Sequence, residues 1–417
     1  MLSLRSPLTV AVAVAAIAVA SSGCAPLACD DPAQGTKGCD PGDTTSATTG
    51  YASSAANTSA GTATGSSGTG VGGGLSEWTA PPCDSVMGTA AATFSLDEGV
   101  TTAPSQSTPL SGISYTFGIA ALDTPGFVLV DHAGELLLSR DAGCHFESLG
   151  ETGLTSASLT AAPNGTAYGW IDNDSGLYRF EAAPSDPKGG VLTLLTSPSP
   201  HLIGLGIDPS RPFHVRVMNA AGQIFESKDR GEHFDPIGLP CPAQGGLIYR
   251  GAFDPSDLDH VVCGVSTIGV AVSSDGGGTW TVAEGLGDKA NAFSAAVSPV
   301  NGAIVWAEGI TLAPVEGRHV FRSEDGGLHF APVIDEGSGV TLTNGAPLWP
   351  HPKSKDRLLF EFGTDFQGYG TDIYVYDYGL GTVTTHHHDF DQVAALAYSP
   401  FDATILYLGV SSEQIQQ

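Results

Sequence analysis

Hydrophobic positions divide this chain into three stretches. An unbroken apolar run, LTVAVAVAAIAVA, fills residues 8–20 behind a single basic residue, Arg5. From Cys29 to about Pro82 neither a strand nor a helix period is visible. Beyond residue 83, short apolar segments alternate with Gly- and Pro-rich turns, the punctuation of β-strands. Six such turns hold a proline: AAPNG, DPSRP, DPSDL, SPVNG, HPKSK and SPFDA. Pro163, Pro209, Pro255, Pro299, Pro352 and Pro400 are 46, 46, 44, 53 and 48 residues apart, and ALDTPGFVLV around Pro125 reads as a seventh turn. The spacing predicts one strand–turn–strand unit per repeat, and so a repeat architecture rather than one large core.

A second pattern runs between these turns, Ser-x-Asp-x-Gly with an aromatic three places further on. The copies are Ser139, Asp141, Gly143, Phe146; Ser227, Asp229, Gly231, Phe234; Ser273, Asp275, Gly277, Trp280; and Ser323, Asp325, Gly327, Phe330. Their aspartates are 88, 46 and 50 residues apart, so one copy has decayed after the first. The chemistry is that of a tight turn: the carboxylate accepts backbone N–H groups, glycine takes a positive φ, and the aromatic packs between sheets. A degenerate copy, Ser95, Asp97 and Gly99 with Thr102 in place of the aromatic, precedes Asp141 by 44 residues.

These motifs resemble the Asp-box, or BNR, repeat of sialidases, sortilin-type receptors, xyloglucanases and photosystem II assembly factors. The resemblance implies an all-β fold, a single β-propeller of seven blades, with six as the alternative. The last repeat has only two strands before the chain ends, so the segment 95–102 is expected to complete it by pairing with 393–410, closing the ring. In such a propeller the boxes are structural and no box aspartate is catalytic.

The N-terminus reads as a processing signal. The apolar run is followed by Ser21, Ser22, Gly23 and Cys24, which resembles a bacterial lipoprotein signal and implies lipidation at Cys24. The run is too short to span a bilayer. The expected organisation is a signal peptide at 1–23, a Gly/Ser/Thr/Ala-rich flexible tether at 24–82 with a reach of about 40–45 Å, and the propeller at 83–417. The protein is expected to be exported and lipid-anchored in the bacterial cell envelope, at the outer membrane or cell surface, with secretion as the alternative.

Composition agrees with this picture. Gly (55) and Pro (27) are abundant while charged residues make up 14%, which suits strands and turns better than helices. The net charge of −28 sets nucleic-acid binding aside and limits membrane contact to the lipid. Without Cys24 six cysteines remain, an even number for an oxidising compartment: Cys29, Cys39, Cys83, Cys144, Cys241 and Cys263. Pairing of Cys83 with Cys144 and of Cys241 with Cys263 is expected.

Binding groups in the resembled families come from the face opposite the boxes. Here that face is expected to present Asp131, His132, Asp172, Asp174, Glu308, Asp365, Tyr369 and His387. The run from His386 to Asp391 has metal-ligand types, but neighbouring histidines in an extended segment alternate faces. The segment at 172–176 lacks the glutamate a calcium loop requires. No metal and no cofactor is expected. The signature that introduces a sialidase's first arginine is missing, and the domain has nine arginines, several in or beside boxes. The expectation is therefore a non-enzymatic binding or scaffold module for a protein or glycan ligand. The competing reading is a divergent glycoside hydrolase using Asp131, Asp172 or Asp365.

Overall fold

A computed structural model describes Cys83 and residues 92–104, 114–116, 118–154, 157–171, 176–363, 369–390 and 392–412. All lie in one compact unit, Gly72–Gln417. Cys24, Cys29, Cys39, Asp172, Asp174 and Asp365 lie outside the described residues.

Every described element is a strand. Four-stranded antiparallel sheets follow one another along the chain. They run from Gly118–Ala121 to Glu147–Glu151, from Ser158–Ala162 to Gly190–Thr196, from Leu202–Asp208 to Asp235–Ile237, and from Trp349–Pro350 to Thr382–His388. Between the last two lies one eight-stranded sheet. Its halves, Ile248–Asp254 to Thr281–Val282 and Lys289–Val297 to Phe330–Asp335, are joined by a short parallel pairing of Ile268 and Gly269 with Ala290 and Asn291. Successive antiparallel sheets of this kind are the architecture of a β-propeller.

The remaining sheet combines both ends of the domain. Ala92–Ser95 pairs antiparallel with Leu406–Ser412, placing Thr93 opposite Leu408 and Phe94 opposite Tyr407. Ala103–Pro104 flanks it on one side, and Gln392–Tyr398 pairs with the far edge of Leu406–Ser412.

Apolar clusters lie on both sides of middle strands, which explains why these strands carry apolar runs such as Val128–Val130 and Leu406–Leu408. Val128, Leu129 and Val130 are all fully buried although they alternate faces. Outer strands reach solvent and turn polar, as in Thr382–His388. The apolar clusters form between sheets: Phe94, Tyr407 and Ile405 pack with Ile119, Val128 and Phe146 of the next sheet along the chain.

The Ser-x-Asp-x-Gly turns share one geometry. Ser139 Oγ donates to Asp141 Oδ1 at 2.8 Å and accepts the Gly143 N–H at 2.8 Å. Asp141 Oδ1 also accepts the His145 N–H at 2.9 Å. The same contacts recur at Ser227, Ser273 and Ser323. The degenerate copy repeats them, with Ser95 Oγ on Asp97 and Gly99 N–H on Ser95. Its Glu98 N–H donates to Thr404 O at 2.8 Å, matching the bonds from Ala142 to Gly126 and from Gly326 to Ala303 within their own sheets. The glycines sit at φ near +90°, from +83° at Gly231 to +95° at Gly143. A side-chain partner for the second aspartate oxygen, six residues after the serine, escaped the sequence reading. His145, His233, Thr279, His329 and Thr101 fill that role.

Cys83 and Cys144 form a disulfide with Cα atoms 5.6 Å apart, tying the segment before the first strand to the Ser139–Phe146 turn. Cys241 and Cys263 correct the second expected pairing: both are buried free thiols. Cys263 lies in an apolar cluster with Met218 and Val265, its Sγ 3.6 Å from Met218 Sδ. Burial and the neighbouring Cys241 raise its pKa well above the usual thiol value, so the thiolate that disulfide exchange needs is disfavoured.

Candidate functional site

The residues expected on the binding face separate into two groups. Asp131 and Glu308 are not surface groups. Both occupy the fourth position of their sheet's second strand, counted from the residue opposite the box serine. There each side chain meets the neighbouring sheet or the connection into it, instead of solvent.

Asp131 is 2% exposed; its Oδ2 accepts Tyr178 Oη at 2.7 Å and Thr152 Oγ1 at 3.3 Å. Burial pushes its pKa up to about 6, against the opposing pull of those two hydrogen bonds. Glu308 is fully buried, accepts the Gly345 N–H at 3.0 Å, and has its pKa raised by burial to about 8. Its Oε1 has no partner among the described residues. His132 is half-buried, its Nδ1 3.1 Å from Thr116 Oγ1, and burial lowers its pKa.

Tyr369 and His387 are brought together, and the group joining them was missed from sequence. Asp372, at the start of Thr371–Asp377, accepts Tyr369 Oη at 2.7 Å and Tyr374 Oη at 3.3 Å on one oxygen. Its other oxygen lies 2.8 Å from His387 Nδ1. The Tyr369 and His387 rings meet edge to face at 5.6 Å, and Phe362 packs on Tyr369 at 5.3 Å. The bond to Asp372 raises the Tyr369 pKa to about 12. Both rings stay about half exposed. The carboxylate is saturated by its three donors and fixes two exposed rings. Such a platform suits docking better than proton transfer, because tyrosine and histidine present flat, stiff surface with polar tips. His388 turns away from it, stacking on Phe390 and facing the Gly99 carbonyl at 2.8 Å.

A cleft of about 470 Å³ opens between the Ser273 and Ser323 turns. Asp254, Asp257, His260, Thr279, Asp325 and Gly326 are among its walls.

No protein-family model matches the chain. In structure the chain is similar to an ancestral GH74 enzyme, with TM-score 0.51 and 14% identity, over 73% of this chain and 46% of that one. The chain thus spans less than half of that enzyme, and the likeness is one of propeller fold alone. A structure of YCF48 bound to D1 peptide is less similar, at TM-score 0.41 and 13% identity over 73% of this chain and 79% of that one. In sequence the chain is 41% identical over 350 residues to the "Dispase autolysis-inducing protein" of Streptomyces mobaraensis, covering 82% of this chain and 91% of the relative. With that identity along nearly the whole relative, the chain belongs to the family of the dispase autolysis-inducing protein.

Proposed function

We propose that this protein is an exported, lipid-anchored propeller that binds a protease and promotes its self-cleavage, without turning over a substrate of its own. The observation carrying this reading is the 41% identity to a relative whose name couples it to autolysis of another protein, dispase. The positions of the acidic groups support it. A glycosidase needs two carboxyls facing one substrate, ~5–5.5 Å or ~6.5–9.5 Å apart. Among the described carboxyls, Asp131 and Glu308 are each sealed against a different neighbour and Asp372 is held by three donors, while Asp172 and Asp365 lie outside the described residues. Tyr369 and His387, on their fixed platform, are the candidate contact residues.

The proposal includes the frame that carries this surface. The repeated turns are read as Asp-boxes, supported by their shared hydrogen bonds. The ring is read as seven blades, with the eight-stranded sheet counted as two. Seven apolar clusters support that count, each drawing on two neighbouring sheets, and one of them joins the sheet of both chain ends to the next. The anchor is lipid on Cys24. Replacing Cys24 with Ser should move the protein from the membrane pellet to the soluble fraction, and mass spectrometry of the mature wild-type N-terminus should find lipid there. An unmodified Cys24 in the wild type would remove the anchor from the account.

Surface-immobilised residues 83–417 should bind dispase in biolayer interferometry and leave a glycan array unmarked. Glycan binding without dispase binding would reverse the reading.

A further inference from the structure

Three box turns are clamped by a side chain of the preceding sheet or, in the eight-stranded sheet, of the preceding half, always at the carbonyl just before the box glycine. Tyr407 Oη donates to Ala142 O at 3.1 Å, and Arg179 Nη1 donates to Arg230 O at 2.6 Å. The third clamp is His260, whose Nε2 lies 2.9 Å from Gly326 O. Tyrosine and arginine keep their donors throughout the neutral range. A histidine does not.

The other ring nitrogen decides what His260 must be. Its Nδ1 lies 3.0 Å from Asp254 Oδ2, and the other oxygen of that carboxylate accepts the Ser256 N–H and hydroxyl, each at 2.7 Å. Burial raises the Asp254 pKa, but the His260 ring and the two Ser256 donors together outweigh it and hold the carboxyl below its usual range, so it stays ionised. Both ring nitrogens therefore face acceptors, one a carboxylate and one a peptide carbonyl. Neutral imidazole has a single N–H and can satisfy only one of them; imidazolium satisfies both.

The charged groups around the ring agree in sign. Asp254 and Asp257 come from its own sheet and Asp325 from the clamped box, while the lining of the cleft includes no Lys or Arg among the described residues. Burial alone would lower the His260 pKa, but the bonds to Asp254 and Gly326 and the nearby carboxylates raise it above 6.5. The ring also lines the cleft, so its proton can exchange with water.

We infer that His260 is a proton-operated clamp between the two halves of the eight-stranded sheet, closed as imidazolium and released when the proton is lost to solvent. On release the remaining N–H stays with the Asp254 carboxylate, the stronger acceptor, and the Nε2 lone pair turns on the Gly326 carbonyl. The fourth box loses its clamp and the cleft beside it loosens, while the Tyr407 and Arg179 clamps hold. A histidine whose folded pKa is raised contributes stability in full below its unfolded value and loses it as pH rises through the folded one. Release therefore comes on the alkaline side.

The test is a proton NMR titration of His260 in residues 83–417, with amide exchange of the box segments at pH 6 and pH 9 corrected for intrinsic rates. His260 should titrate with a midpoint above 6.5. Protection across 325–330 should fall about tenfold between the two pH values, the worth of one charge-assisted hydrogen bond. Segments 141–146 and 229–234, whose His145 and His233 bond their aspartates as His329 does in the fourth box, share that part of the pH response and should lose clearly less. His260→Gln should be weakly protected at 325–330 at both pH values. Should that variant fail to fold, the wild-type titration and exchange decide alone. A midpoint at or below 6.5, or equal loss of protection in all three segments, would overturn the clamp.

Discussion

Removing residues 83–105 is expected to cost the domain most of its stability, well beyond a local loosening. The segment supplies Ala92–Ser95, buried along its whole length and paired residue for residue with Leu406, Tyr407, Leu408 and Gly409. Phe94, 4% exposed, fills the seam between Tyr407 and Val128, and losing a buried phenylalanine alone costs about 3–5 kcal/mol. The Cys83–Cys144 disulfide closes 61 residues and goes with it, a contribution on the order of 4 kcal/mol. Glu98 goes as well, leaving Arg357 without the carboxylate 2.8 Å from its guanidinium. Set against the roughly 5–15 kcal/mol of net stability typical of a folded domain, these losses are large. Leu406–Ser412 would also be left as an open, apolar edge, a template for aggregation. Thermal melts should show a drop of more than about 10 °C or outright precipitation. Cys83→Ser measures the disulfide's share, and deletion of 30–80 should leave the melting temperature where it was. A deletion of 83–105 that melts like the intact domain would contradict the pairing of the two ends.

The second large effect runs the other way. Glu308→Gln is expected to stabilise the protein, and more so as pH rises. With its pKa raised from 4.5 to about 8, the buried carboxyl keeps a proton in the folded state that the unfolded chain releases. Stability therefore falls as pH rises through that window, by ~1.4 kcal/mol per pH unit, and levels off above it. Glutamine keeps an oxygen for the Gly345 N–H and has no proton to lose. Its advantage should be near zero at pH 4.5 and about 3 kcal/mol at pH 7. Urea unfolding at pH 5, 7 and 8.5 reads this directly; an advantage independent of pH, or a destabilised variant, would refute the assignment.

These two sites mark where sequence reasoning succeeds and where it stops. The box turns were legible because their hydrogen bonds are local: Ser95, Asp97 and Gly99 encode a turn within five residues, even with the aromatic gone. Counting strands pointed to a pairing of the two ends but misplaced it: of the expected segment 95–102 only Ser95 lies in the paired strand, Ala92–Ser95, and the residues after it form the turn. The surroundings of Asp131 and Glu308 were not legible. A carboxylate in a strand looks the same whether it faces solvent or the next sheet, and only packing between sheets decides. The same holds for Asp372, whose partners Tyr369 and His387 lie 3 and 15 residues away on different turns of one sheet. Cys241 and Cys263 followed a parity rule that takes no account of the apolar cluster around them.

In the function proposed, this fold acts on a protease by binding it. Purified dispase incubated alone and with increasing residues 83–417, followed by loss of the intact band over time, tests it most directly. Self-cleavage should accelerate and saturate with added propeller, and Tyr369→Ala with His387→Ala should weaken the effect while leaving the melting temperature within a few degrees. An unchanged rate of dispase loss at saturating propeller would contradict the account.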